Sequence, residues 1–250
     1  MEHSVTINGI PVEAHYSSRS INEIFIPLLQ RLTKLQHEKQ RRILMILAAP
    51  PGAGKTTLLS FLEKLSSERD GLMPVQVIGM DGFHRRQEYL MSHSVQRDGS
   101  MIPMVQIKGA PVTFDLEKLK NRVAEIADGR VCGWPAYDRT LHNPVEDAVL
   151  VNKEIVILEG NYLLLDEDGW RDIAGYADYS VFVRAEEKLL RERLIGRRMK
   201  TGVEEKAAVE FVDFSDMPNV RLCLTHSGRA DLTLAIDHNG DYDIVDGEKK

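Results

Sequence analysis

Lys55, Thr56 and Thr57 close the stretch APPGAGKTT at residues 49–57, a cation and two hydroxyls behind a glycine-rich turn. Residues of those types in that order suit the holding of phosphate. In such a loop consecutive backbone amides point inward, a lysine reaches the outer phosphates, and a hydroxyl helps hold magnesium. Gly52 and Gly54 permit the tight turn, Lys55 supplies the ammonium, Thr56 the magnesium-binding hydroxyl and Thr57 a further phosphate contact, with Pro51 and Ala53 completing the cradle. Ala49 stands where these loops usually carry glycine. A methyl group is tolerable there if the backbone is not left-handed. The pattern predicts a bound nucleoside triphosphate with Mg2+.

Two carboxylates follow apolar runs and so fall at strand ends, where ligands gather on parallel sheets. Asp81, in MDGFHRR, is the candidate to take or orient the proton of an incoming hydroxyl. Glu159, in VILEG, is placed to hold the metal shell together with Thr56. The segment RAEEKLLRERLIGRRMK, residues 184–200, has seven basic and three acidic residues. Its Arg193, Arg197 and Arg198 can present planar donors to phosphate oxygens and compensate charge developed in transfer. Around the acceptor, His84 is three residues past Asp81, and Arg85, Arg86 and Arg139 add positive charge.

These residues need a frame. RRILMILAA runs directly into the glycine turn and KTTLLSFLEKLSS leaves it with helical spacing, giving the order strand, loop, helix that such a loop requires. VQVIGM (75–80), EIVILEG (154–160) and YSVFV (179–183) read as further buried parallel strands, because they lack clean alternation. FDLEKLKNRVAEIADG and EEKLLRERLIGRRMK have helical spacing between them, which implies an α/β fold whose mostly parallel sheet is covered on both faces. EEKAAVEFVDF reads as another helix, VRLCLTH and DLTLAI as late strands. Val5, Ile7, Ile10 and Val12 around Asn8-Gly9 predict an N-terminal hairpin, and Ser20 with Glu23 a helix cap at Ile21. Segments 82–114 and 129–153 read as irregular chain folded over the strand ends.

The chain of 250 residues is long enough for one large core, and 43% hydrophobic with 28% charged residues exclude global disorder. A net charge of −6 argues against a broad nucleic-acid surface. No apolar run approaches the roughly 20 residues of a membrane span, and the first residues do not resemble a secretion signal, so a cytoplasmic protein is expected. Cys132 and Cys223 lack paired spacing and read as reduced thiols. Asp237, Asn239, Asp241 and Glu248 match four positions of a calcium loop, but Tyr242 stands at its glycine position, so a turn at Asn239-Gly240 is expected instead.

PPGAGKTT, DGFH, GAPVTFD, WPAYDRTLHNP and ILEGNYLLLD, continuing into WRDIAGYADYSVFVRAEEKLLRERLIGRR, resemble in order the P-loop kinase family of uridine kinase, bacterial pantothenate kinase and phosphoribulokinase. The likeness spans roughly residues 40–235 and is nearest the bacterial uridine kinase-like or fructose-transport-system kinase subgroup. It implies a P-loop NTPase three-layer sandwich at 40–236, with acceptor-binding segments 82–114 and 129–153 and a lid around 193–202. The N-terminal hairpin and helix, 1–39, are then an extension, and 237–250 a C-terminal turn and tail. The resemblance implies ATP and magnesium, Asp81 as base, Glu159 near the metal, and Tyr137 and His142 as acceptor contacts. A homodimer is one arrangement the resemblance leaves open.

The departures bear on the acceptor. Gly109 stands where the family has a ribose-binding aspartate, Arg139 where it has an aromatic residue beside the base, and Asn143-Pro144 displace an arginine. A sugar or polyol is therefore the expected acceptor, in an ATP-dependent transfer to an alcohol. The rivals are a nucleoside kinase, a pantothenate-like kinase, and an ATP-binding regulatory protein.

Overall fold

The computed structural model describes residues 1–7, 10–97 and 99–247. The chain begins with β1 (Glu2–Ile7), β2 (Ile10–His15) and α1 (Ile26–Lys39), and then enters β3 (Ile43–Ala48), α2 (Lys55–Glu68) and β4 (Val75–Gly79). A middle section holds α3 (Gln87–Ser92), β5 (Ser94–Arg97), β6 (Ser100–Pro103), α4 (Leu116–Ala127), β7 (Cys132–Asp138) and β8 (Asn143–Val151). The last part runs β9 (Ile155–Gly160), α5 (Trp170–Ala174), β10 (Tyr179–Arg184), α6 (Glu187–Met199), α7 (Glu205–Phe211), α8 (Met217–His226), β11 (Leu232–Ile236) and β12 (Tyr242–Gly247).

Six strands form the central sheet in the order β12-β11-β10-β3-β9-β4. All neighbours are parallel except β12, which runs antiparallel along β11. Every residue of β3 is buried because the sheet is covered on both faces. Ile43, Met45 and Leu47 pack with apolar residues of α1, α2 and α6, while Leu44, Ile46 and Ala48 pack with α4, Trp134 and Tyr162. This is the expected three-layer α/β sandwich. Because β4 follows β3 in sequence but lies beyond β9, while β10 lies on the other side, a crevice opens at the carboxyl ends of β3 and β9.

At the amino ends of the strands the sheet is pinned by charge. The Asp178 carboxylate, 4% exposed, takes Lys39 Nζ at 2.6 Å, Arg41 Nη2 at 2.5 Å and the Leu44 amide at 3.0 Å. Burial works against its ionised form, but the hydrogen bonds from Arg41, Lys39 and Leu44 outweigh it and hold its pKa below the ordinary value.

Several expectations change in the structure. The N-terminal hairpin forms, with Val5 opposite Val12, and its turn residues Asn8 and Gly9 lie outside the described residues. Ser17, not Ser20, caps the helical turns at residues 18–25 that lead into α1: its Oγ accepts from the Ser20 amide at 3.1 Å. The Ser20 hydroxyl instead bonds Asp241 and accepts from the Tyr242 amide, both at 3.2 Å, which ties this helix to the last hairpin. VRLCLTH is helical, within α8, not a strand. The alternation of Val220, Leu222 and Leu224 competes with the helical spacing of Met217, Val220 and Cys223, and Pro218 in the first turn favours the helix. Segment 129–153 is mostly a long antiparallel hairpin, β7 with β8, and 94–103 contains a second, β5 with β6.

Cys132 and Cys223 are free. The expected turn at Asn239-Gly240 forms, Gly240 at φ +86°, with Asp237 Oδ1 accepting from the Asn239 and Asp241 amides at 2.8 and 2.9 Å. Glu248 lies outside the described residues. The tail continues into β12, which extends the sheet. Among the described residues no helix is long and apolar enough to cross a membrane.

Candidate active site

The register of the sheet brings the chemistry together. Glu159 on β9 lies opposite Leu47 of β3 on one side and Gly79 of β4 on the other. The glycine loop leaves β3 just past Ala48, and Asp81 lies in the helical turn Met80–Phe83 that follows β4. Three separate stretches of sequence thus end at one level of one sheet.

Ala49 is fully buried, its amide bonds Gly160 O at 3.2 Å, and it is not among the residues with positive φ. The alanine therefore fits where a glycine is usual. The left-handed positions are Gly52 at φ +86° and Gly54 at φ +82°. A Cβ on Gly52 would lie 3.1 Å from Leu190 O and 3.2 Å from Leu194 Cγ, because α6 lies across the loop. A Cβ on Gly54 would meet nothing within 4 Å, so the mouth of the cradle is open. Lys55 and Thr56 begin α2, Thr56 exposed and Thr57 buried.

The Lys55 ammonium is within 3.0 Å of Ala49 O, 3.4 Å of Pro50 O and 2.6 Å of Asn161 Oδ1. Burial lowers its pKa, the charges of Glu159 and Asp81 raise it, and Arg197 lowers it further. Burial likewise pushes the Glu159 carboxyl up to about 7, Lys55 pulling it back and Asp81 adding to the rise. The Glu159 carboxyl makes no hydrogen bond or ion pair among the described residues. Beneath them Cys223 is a neutral thiol, pushed up to about 12 by burial, that donates to Asn161 O at 3.3 Å.

Asp81 is 49% exposed at the crevice mouth. His84 is held beside it, Nδ1 2.9 Å from the Asp81 carbonyl oxygen and 4.0 Å from its Oδ1. Burial keeps the imidazole below its ordinary pKa. Its ring packs on Phe114 at 4.0 Å and faces Tyr137 at 5.2 Å. Tyr137 comes from β7, and its hydroxyl lies 2.5 Å from Lys108 Nζ. His142 has a left-handed backbone, φ +52°, with an exposed side chain at the tip of the β7–β8 hairpin.

The arginines divide. Arg197 acts on Lys55 and makes no hydrogen bond or ion pair among the described residues. Arg198 lies 3.2 Å over the Phe211 ring and 3.8 Å from Asp216. Arg193 acts on Tyr242, toward the last hairpin. Arg139 is exposed and acts on His84, Lys108 and Tyr137, whereas Arg85 stacks over Tyr89 at 4.6 Å. Three side chains at the site go unmarked in the sequence reading. Asn161 is two residues past Glu159 in the same strand-end motif, Lys108 adjoins Gly109, and Asp216 lies between the charges of Arg197 and Arg198. The position of Asn161 at a strand end was a usable signal.

The residues present fit a nucleotide with magnesium. The loop mouth is open at Gly54, and the unpartnered Glu159 carboxylate and the Thr56 hydroxyl are hard oxygen donors. Among the described residues no group of three or more His, Cys, Asp or Glu gathers to cage a metal. A cation here would share its shell with phosphate oxygens, which is the usual mode for Mg2+.

A model of the Phosphoribulokinase / Uridine kinase family matches residues 44–234. The chain is 39% identical over 243 residues to the uncharacterized protein YggC of Escherichia coli (strain K12), covering 97% of this chain and 98% of that one. It is 34% identical over 188 residues to a Schizosaccharomyces pombe protein provisionally named uridine kinase C227.14, covering 72% and 77%. Among solved structures, a provisionally named fructose transport system kinase from Silicibacter sp. TM1040 superposes with a TM-score of 0.72 at 31% identity, over 82% of this chain and 98% of that one.

Proposed function

The chain belongs to the phosphoribulokinase / uridine kinase family, and on that premise we propose that it transfers the γ-phosphate of ATP to an alcohol group of a small polar metabolite, a sugar or polyol. The observation that carries this reading is the register that sets Glu159 between the ends of β3 and β4, with Lys55 on one side and Asp81 on the other.

The roles follow from position. Pro51 has no N–H to donate and the Ala53 amide bonds Pro50 O at 3.3 Å, so Gly52 and Gly54 to Thr57 would supply the N–H groups of the cradle, and Lys55 would leave its carbonyl contacts for the outer phosphates. Thr56 and Glu159 would hold Mg2+, whose charge screens the phosphate oxygens. Asp81 accepts the proton as the acceptor oxygen forms its bond to the γ-phosphorus and the bond from that phosphorus to the β-bridging oxygen breaks, releasing ADP. Arg197, with its guanidinium unengaged, is the lid arginine best placed to stabilise the transferring group, whereas Arg198 is taken up by Phe211 and Asp216 and Arg193 bears on Tyr242. His84, Tyr137, Arg139 and His142 orient the acceptor, with Arg85 at the rim.

The test is ADP release from ATP and magnesium across hexoses, pentoses, polyols, nucleosides and pantothenate, with the mass of each product checked. Saturable turnover that adds one phosphate to a sugar or polyol supports the reading. Saturable turnover of uridine or cytidine alone would replace it with the nucleoside reading that Tyr137 and His142 favour. Tight ATP binding without any acceptor would favour a regulatory protein.

A further inference from the structure

Lys55 spends its three N–H groups on oxygens that carry no charge. Its ammonium lies 2.6 Å from Asn161 Oδ1, 3.0 Å from Ala49 O and 3.4 Å from Pro50 O. A carboxylate belongs to the same strand end, since Glu159 precedes Asn161 by two residues. Among the described residues the lysine nevertheless makes no ion pair with it.

The frame holds the two charges apart. Ala48 lies opposite Gly160 in the register of β3 with β9, and the Ala49 amide bonds Gly160 O at 3.2 Å. The ammonium, bonded to Ala49 O and to Asn161, therefore sits on the β3 side of the end of β9. Glu159 leans to the β4 side: a Cβ on Gly79 would lie 3.3 Å from Glu159 Oε1, where a larger residue would crowd the carboxyl. Asn161 is anchored from below, because the buried Cys223 thiol donates to its carbonyl oxygen at 3.3 Å.

A lysine with a spare N–H beside a buried carboxyl is drawn into an ion pair, because each charge is costly to bury alone. Such a pair would take the cation from the phosphates and the carboxylate from Mg2+ in one step. We propose that Asn161 is a positioning residue, whose neutral amide oxygen holds Lys55 away from Glu159 and so keeps the cation ready for phosphate and the carboxylate ready for Mg2+. This rests on the phosphotransfer reading and adds to it the side chain that stops the crevice from closing on its own charges.

The test is a double-mutant cycle read by binding, with no turnover involved. Wild type, Asn161→Ala, Glu159→Gln and the double variant are titrated by calorimetry with a non-hydrolysable ATP analogue in the absence of magnesium, so that loss of a metal ligand does not enter. Asn161→Ala should raise the Kd by about 10-fold or more where Glu159 is present and by less than about twofold beside Glu159→Gln, because the competing carboxylate is then gone. A crystal structure of Asn161→Ala without nucleotide should place Lys55 Nζ about 3 Å from a Glu159 carboxyl oxygen. If Asn161→Ala does not fold, Asn161→Leu, of similar volume and without an acceptor atom, carries the same comparison.

Equal losses of affinity in the two backgrounds would overturn the proposal and make Asn161 a structural residue or a direct nucleotide contact. Tighter binding by Asn161→Ala would also overturn it, since Asn161 would then only compete with the phosphates for Lys55. Failure of the wild type to bind the analogue would overturn the phosphotransfer reading, and the place of Lys55 in the Asn161→Ala structure would still decide the proposal: an unmoved lysine overturns it.

Discussion

The two ends of the central sheet treat their carboxylates in opposite ways. At the amino ends Asp178 is closed in by Lys39, Arg41 and the Leu44 amide. At the carboxyl ends the Glu159 carboxyl has no hydrogen bond among the described residues and Asp81 stands half open to solvent. The first arrangement satisfies a buried charge and so holds the fold. The second leaves charge unsatisfied inside a rigid frame, which is stabilising only once a ligand supplies the partner.

Exchanging the roles of these acids should separate activity from stability. Asp81→Asn should lower turnover by about 10²- to 10⁴-fold with thermal stability and ATP affinity nearly unchanged. Near-native turnover in the folded variant would remove Asp81 as base. Asp178→Asn should do the reverse, costing about 2–4 kcal/mol in denaturant unfolding while the folded fraction keeps its turnover.

The pH dependence of that second variant follows from its sign. The Asp178 pKa is depressed on folding, so its stabilisation is present above the ordinary value of 3.8 and is lost as pH falls through the lower folded value. The wild-type protein should therefore lose stability in that acid range more steeply than Asp178→Asn. Equal slopes in acid titrations of unfolding would contradict the assignment.

Glu159→Gln should lower turnover by about 10- to 100-fold yet leave the melting temperature unchanged or higher, since it removes a buried carboxyl whose ionisation burial opposes. A clear loss of stability would make Glu159 a structural acid like Asp178. Ala49→Gly is the smallest change. Because the Ala49 backbone is not left-handed, restoring the usual glycine should cost about 1 kcal/mol of stability and leave the KM for ATP within about twofold.

The same division explains what was readable in advance. The glycine loop, Asp81 and Glu159 were legible because each follows a continuous apolar strand, and parallel strands in one sheet end at one level. The acceptor end depends on partners far apart in sequence. Lys108 matters through Tyr137, Gln87 and the tip of β7–β8, contacts that only the folded hairpin creates. The lid arginines look alike as a cluster, but helix geometry turns Arg198 onto Phe211, while the charge of Arg193 bears on Tyr242 and that of Arg197 on Lys55. The α8 error had a local cause, two periodicities in one short run, of which burial of Val220 and Cys223 selected the helical one.

The most direct measurement of the central claim is the stoichiometry of transfer in wild type and Asp81→Asn, with ADP and phosphorylated acceptor quantified together and ATP affinity measured on both. The account predicts one phosphorylated acceptor per ADP in the wild type, and in the variant both products falling together while ATP still binds. ADP formed without phosphorylated acceptor, or equal transfer by the variant, would contradict it.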